Sequence, residues 1–431
     1  MTQIPFDDIF DYVRQLEIID THEHYPVNEK LRERPTDILR EYNDFYFPSD
    51  LRSAGYKNMD RLTDINLPLM ERWRDVAPYW NICRTTGYGR CLDNTVRILY
   101  GLDGINGDNL EELNHKFLSG LAGGNHYDYV LRQKSNLKTG LREMILSDLY
   151  EDIDDRYVRG ALRLDNFIYP KVGNDLISIE NAAGIRICCL DDWLEACDAV
   201  LEEAFKSKII VAMKTEIAYE RSLRFDRSTK AEAEEEFNNI FKANCYLYKT
   251  DQVYSLGKKF QDYMMHYILR WANRHNITFQ FHTGIQEGNA NVISNADPTL
   301  LTNLFMEYPD VDFDIFHIGY PYQNKLSALC KVFPNVYIDM CWAHIISPTA
   351  SINALVEWLD SVPYNKISAF GGDFCFIDGV AGHQYMAREN ISRALAIKVQ
   401  EGLFDIDQAK DIARRLFYDN PFKIFKLEGK I

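Results

Sequence analysis

No stretch of this chain runs to 18 consecutive apolar residues, the length of about 18 or more that a membrane-spanning helix needs. Its start, "MTQIPFDDIFDYVRQ", is acidic where a secretory leader would be basic and then apolar. No Cys-x-x-Cys pair occurs among the nine cysteines at positions 83, 91, 188, 189, 197, 245, 330, 341 and 375. An odd, scattered set of that kind excludes a disulfide framework and a cysteine-rich metal site, and it suits reduced thiols. Positive charge is also scarce, with 48 Lys and Arg against 64 Asp and Glu and a net charge near −16. Nucleic acid and anionic membrane surfaces are repelled by such a surface, so a small-molecule partner is expected. Repeats, low-complexity tracts and Pro-rich linkers are absent as well. The expectation is one cytoplasmic domain over residues 1–431 that forms a homo-oligomer.

What the chain does contain is a rhythm. Eight β-rich runs recur, at 16–20, 142–149, 160–168, 208–215, 277–283, 311–318, 335–342 and 366–374. Between most of them lie stretches of helical periodicity, such as 191–208, 251–275, 298–309 and 351–362. Strands alternating with helices pair in parallel, and eight of them close without an edge as an α/β (β/α)8 TIM barrel. An open doubly wound sheet would advertise a Gly-rich phosphate turn after its first strand, but "THEHYP" stands there. From about 27 to 140 the rhythm breaks into charged helical stretches and an aromatic cluster without a good strand. This reads as a helical insertion after the first strand, at the end of the barrel where the catalytic loops emerge.

Only ten histidines are present, and their placement is uneven. His22 and His24 follow the first run, His282 the fifth and His317 the sixth, while Lys214 ends the fourth and Asp373 the eighth. In a barrel these ends converge on one mouth, and the period of two along a strand turns His22 and His24 to the same side. Imidazole nitrogens with a carboxylate oxygen form a ligand set for a divalent transition metal, with Zn2+ first and one or two ions. The ligand candidates this placement offers are His22, His24, His282, His317 and Asp373. Asp373, His317 and Lys214 are the expected catalytic groups, with Lys214 either an ammonium paired to a carboxylate or a carbamylated bridge between two metals. His115, His126, His266 and His275 fall in helical or loop stretches and read as packing or surface residues, and His344 and His383 as candidate walls of the site.

The order His-x-His, Lys, His, His, Asp at strand ends resembles the amidohydrolase superfamily of metal-dependent barrel enzymes. More narrowly, "DTHEHYP", "AMKTEIAYERSLRF", "FQFHTGIQEGN" and "FGGDF" are similar to the amidohydrolase family 2 branch, in particular the amidohydrolase-like domain of FluG-type proteins. The final "RRLFYDNPFKIFKLEGK" resembles the closing helix of that branch. The resemblance implies His22, His24 and Asp373 around a first metal, with His282 completing that site or joining His317 at a second one. The chain departs from many relatives in following "FGGDF" with "CFIDG", which offers Asp378 as a supporting group behind the site.

The reaction expected first is metal-assisted hydrolysis of a C–N or C–O bond in a small carboxylated substrate. The substrate contacts expected are Arg221, Tyr320, Trp342 and Arg84, with Arg224 and Arg90 as further arginines able to clamp a carboxylate. Isomerisation of a uronic acid and non-oxidative decarboxylation are the alternatives within the superfamily. A barrel that binds without catalysing comes last.

Overall fold

A computed structural model describes residues 4–31, 35–170, 173–244 and 257–431. Its centre is one eight-stranded parallel sheet in sequential order: β1 (Ile18–Glu23), β2 (Leu137–Met144), β3 (Val158–Arg163), β4 (Ile210–Thr215), β5 (Thr278–Phe281), β6 (Phe313–Ile315), β7 (Val336–Asp339) and β8 (Ile367–Ser368). All six residues of β1 and of β4 are buried. Helices cover the outer face and side chains fill the inside, which is the burial that parallel strands require. The seam between first and last strands is closed by the segment after β8. Thr21 N–H donates to the Phe370 carbonyl (3.0 Å), Asp373 N–H to His22 (2.8 Å) and His24 N–H to Phe374 (3.1 Å).

Strand existence agrees with the sequence reading, and boundaries do not always. β2 lies five residues upstream of the expected run because residues 146–150 turn into a 3-10 segment, whose Asp148 carboxylate accepts from the Ile145 N–H (2.9 Å). The end of the third run coils instead into a short helix, Asp165–Ile168. Helices occur at Leu190–Lys206, Lys258–His275, Thr302–Glu307 and Pro348–Ser361. The expected helical stretch at 251–256 and Cys245 lie outside the described residues. The longest helix among the described residues, Ile377–Gln400, packs against the insertion and had no counterpart in the periodicity.

The core has three parts. The largest fills the space between barrel and helices, and Ile19, Leu141 and Val211 cluster with Ile424, Phe425 and Leu427, which plug the barrel's lower end. The third belongs to the insertion, which carries helices including Phe47–Ser53, Leu69–Cys83 and Gly87–Tyr100. Its Phe47, Leu51, Trp73 and Trp80 share one apolar cluster with Phe316, Trp342 and Phe374 from the loops above the barrel. The insertion is therefore packed over the C-terminal ends of the strands as a roof. No helix among the described residues is long and apolar enough to cross a membrane.

Candidate metal centre

The strand-end residues converge at the barrel mouth. His22 Nε2 lies 3.2 Å from His24 Nε2 and 3.4 Å from Asp373 Oδ1, and His24 Nε2 lies 2.9 Å from the same oxygen. Three ligand atoms on one ion with bonds of about 2.0 to 2.2 Å stand roughly 3.0 to 3.5 Å apart in octahedral or tetrahedral geometry. The observed triangle fits that spacing.

A second pair adjoins it. His317 Nδ1 donates to the Cys341 carbonyl (3.0 Å) and His282 Nε2 to the Ile285 carbonyl (3.0 Å). Each ring therefore turns its remaining nitrogen inward as a lone pair, and the two face each other at 3.0 Å. His317 Nε2 is also 3.9 Å from Asp373 Oδ2. His282 thus pairs with His317 rather than joining His22 and His24.

Electrostatics divide this group: against the burial that would lower it, Glu143 and Asp373 push His24 up. Burial pushes His22 and His282 well below their ordinary value and His317 down to about 4, so all three are neutral near pH 7. Burial alone would raise the Asp373 carboxyl, but the His24 hydrogen bond and the neighbouring histidines carry it well below the usual range. Asp373, His317 and Trp342 all hold left-handed backbone, with φ of 62°, 63° and 59°. Such conformations cost a non-glycine residue about 1 to 3 kcal/mol and cluster where side-chain direction matters.

Lys214 is fully buried, with Nζ 3.2 Å from His22 Nε2, 4.2 Å from the Phe316 ring centroid, 3.7 Å from Glu143 Oε2 and 4.0 Å from Glu216 Oε1. The carboxylates of Glu143 and Glu216 have ligand atoms within 4.8 Å of those of His22 and His24, and the Cys341 sulfur is as close to His317 and Asp373. Sequence reasoning passed over Glu143 and Cys341. The expected run 142–149 put Glu143 at the start of its strand, whereas β2 ends at Met144 and so carries Glu143 to the mouth. Cys341 follows β7, after which only His344 was singled out, as a wall residue.

A cavity of about 650 Å3 opens onto these groups, lined by His24, Glu216, His282, Trp342 and Asp373 among others. Arg163 is the only lysine or arginine among the described residues that line it. Its Nη1 donates to Glu143 Oε1 and Glu216 Oε2, both at 2.8 Å. Of the expected substrate contacts, Trp342 lines the cavity. Arg221 instead bonds Gln261 (2.9 Å) and Asp262 (3.0 Å), and Arg84 bonds Asp93 (2.7 Å) inside the insertion. Tyr320 packs on the main core.

Asp378 joins His126, Tyr42 and Tyr100 of the insertion, and so ties the roof to the helix Ile377–Gln400. His344 and His383 sit behind the wall, donating to the carbonyls of Ala369 (2.8 Å) and Gly372 (2.9 Å).

One layer below, Asp20, Gln280, Asp314 and Asp339 are fully buried inside the barrel. Burial lifts Asp339 from 3.8 to about 6 and, with Asp339 beside it, lifts Asp314 well above the usual range. An acid whose folded pKa is raised contributes stability at low pH that is lost as pH rises through the folded value. Asp339→Asn removes that loss. Chemical unfolding at pH 5 and pH 8 should show the wild type losing about 1 kcal/mol more than the variant over this interval.

Residues 226–427 match the family model described as amidohydrolase. A 155-residue stretch is 30% identical to protein fluG of Emericella nidulans, covering 35% of this chain and 18% of that protein. The chain thus spans under a fifth of the length of this curated relative. Among solved structures, uronate isomerase of Thermotoga maritima is similar with a TM-score of 0.79 at 16% identity, over 99% of this chain and 98% of that one. Glucuronate isomerase of Caulobacter crescentus gives 0.76 at 18%, over 98% and 94%. A Lactobacillus casei protein described as a metal-dependent hydrolase gives 0.67 at 17%, over 98% and 99%.

Proposed function

We propose that this chain, a relative of the amidohydrolase superfamily with a (β/α)8 barrel, is a metal-dependent hydrolase of a C–N or C–O bond in a small carboxylated substrate. The observation that carries the reading is the triangle of His22 Nε2, His24 Nε2 and Asp373 Oδ1, whose sides of 2.9 to 3.4 Å suit one divalent ion. Zn2+ is the ion this N/O donor set favours, with His282 and His317 as the further inward nitrogens. When bound, the metal supplies Lewis acidity, which polarises the carbonyl and makes water a nucleophile near neutral pH.

The remaining steps belong to the chain. Asp373 Oδ2, on the side of His317, accepts the proton of the attacking water as the new C–O bond forms. It returns that proton to the leaving nitrogen or oxygen as the old bond breaks. His317, with Nδ1 spent on the Cys341 carbonyl and Nε2 inward as a lone pair, would serve the metal as a ligand. Arg163, with Nη1 fixed by two glutamates, turns its remaining donors to the substrate carboxylate. The Trp342 indole forms an apolar wall of the cavity.

A second reading, sugar-acid isomerisation, is favoured by the whole-chain similarity to uronate isomerases, insertion included. One experiment separates them. Protein prepared without chelator and reconstituted with Zn2+ is assayed for metal content, for hydrolysis of a panel of carboxylated amides and esters, and for ketose–aldose conversion of uronates. Hydrolysis is expected, with Arg163→Met raising KM for carboxylated substrates by about 10- to 100-fold and sparing uncharged analogues. Conversion of uronates without hydrolysis would select the isomerase, and failure to bind metal would remove both.

A further inference from the structure

The left-handed backbone at Asp373 is held at both flanking peptides as well as its own. Gly372 N–H donates to Asp20 Oδ1 (3.0 Å), and its carbonyl accepts from His383 Nδ1 (2.9 Å). Asp373 N–H donates to the His22 carbonyl (2.8 Å), Phe374 N–H to Glu23 Oε2 (2.8 Å), and the Phe374 carbonyl accepts from His24 N–H (3.1 Å). Every one of these partners belongs to the barrel or to the helix behind it.

The sixth partner does not. The Asp373 carbonyl accepts from the hydroxyl of Tyr46, a residue of the roof that immediately precedes the helix Phe47–Ser53. Tyr46 is itself left-handed (φ 62°) and buried. Its ring is stacked between roof and barrel, with centroids 5.3 Å from Tyr88 at 14° and 4.6 Å from Trp342 at 19°. A ring so confined cannot move its hydroxyl without unstacking, and the carbonyl it holds is one bond from the α-carbon that aims the Asp373 carboxylate.

We propose that Tyr46 is a positioning residue for Asp373, so that seating of the roof completes the metal-binding set. The proposal rests on the reading of Asp373 as a metal ligand. Hydrogen-bonded partners outside a ligand set typically alter metal affinity 10- to 100-fold. Coupling of this kind is reciprocal, so bound metal must stabilise the seated roof by the same factor.

The test uses Tyr46→Phe, which keeps the stacked ring and removes the hydroxyl, with Tyr88→Phe as the control for packing. Zn2+ affinity, measured by competition with a chromogenic chelator, is expected to fall about tenfold in Tyr46→Phe and to stay unchanged in Tyr88→Phe. The visible spectrum of the Co2+-loaded protein should shift in the first variant alone. Hydrogen exchange on the wild-type chain needs no variant: amides of Phe47–Ser53 should exchange about tenfold more slowly with Zn2+ than without. Equal Zn2+ affinity and superimposable Co2+ spectra in Tyr46→Phe would overturn the proposal, as would equal losses in both variants or exchange indifferent to metal. Failure of the wild type to bind Zn2+ or Co2+ would instead overturn the reading of the metal centre.

Discussion

Asp373→Asn is expected to lower turnover by at least about a thousandfold while leaving the fold intact. The amide has the shape of the carboxylate but cannot take a proton, and general acid–base groups contribute about 10²- to 10⁴-fold. It is also a poor ligand in place of an oxygen that stands 2.9 and 3.4 Å from the two Nε2 atoms. The loop should survive because all six of its restraining bonds are made by backbone atoms of residues 372–374 and none by the Asp373 side chain. Far-UV circular dichroism and the melting temperature check the fold, elemental analysis the metal, and steady-state rates the chemistry. Normal metal content with no turnover would assign Asp373 to proton transfer. Loss of metal would assign it to ligation, and wild-type turnover would remove it from the mechanism.

Residues that the chain's periodicity exposed are those whose role is fixed by strand position. A strand end in a parallel barrel points into one mouth whatever the distance in sequence, which is why His22, His24, His282, His317 and Asp373 could be grouped without coordinates. Lys214 belongs with them for the same reason, and its register partner Gln280 sits on β5.

The substrate side was less legible. Arg221 lies just past β4, yet its guanidinium bonds to Gln261 and Asp262 on a helix outside the barrel, a contact no local pattern announces. Arg163 lay inside the expected run 160–168 and ends a strand only because β3 stops there; what distinguishes it is the pair of glutamates that grip it. Tyr46 was further out of reach, since the link from roof to Asp373 spans 327 residues and exists only after the insertion folds back. β8 also shows how pattern overshoots. Its run continues to residue 374 in apolar content, but Gly371 and Gly372 pass so close to Cys341 and Glu23 that any Cβ would collide, and the chain leaves the ladder to wrap β1.

Lys214→Met should cost turnover about a hundredfold or more and should not be rescued by added formate or acetate. The two readings of this residue differ in what its nitrogen carries. A carbamylated lysine presents two oxygens that bridge a pair of metals about 3.5 to 4 Å apart, and short carboxylic acids can imitate that bridge when the side chain is removed. An ammonium instead needs carboxylates around it, and Glu143 and Glu216 provide them at 3.7 and 4.0 Å, with the Phe316 ring face at 4.2 Å. Glu216 reaches this position although β4 ends at Thr215, because the chain enters the 3-10 turn Ile217–Tyr219 directly afterwards and Arg163 draws the carboxylate inward. Those surroundings favour the ammonium, which offsets the two glutamates. Removal of a buried partner of this kind leaves its counter-charges uncompensated, at a cost of about 3 to 5 kcal/mol, so the melting temperature should fall together with the rate. Metal content in Lys214→Met should remain near that of the wild type. Loss of one metal equivalent, with activity returning in formate or acetate, would establish the bridging form in its place.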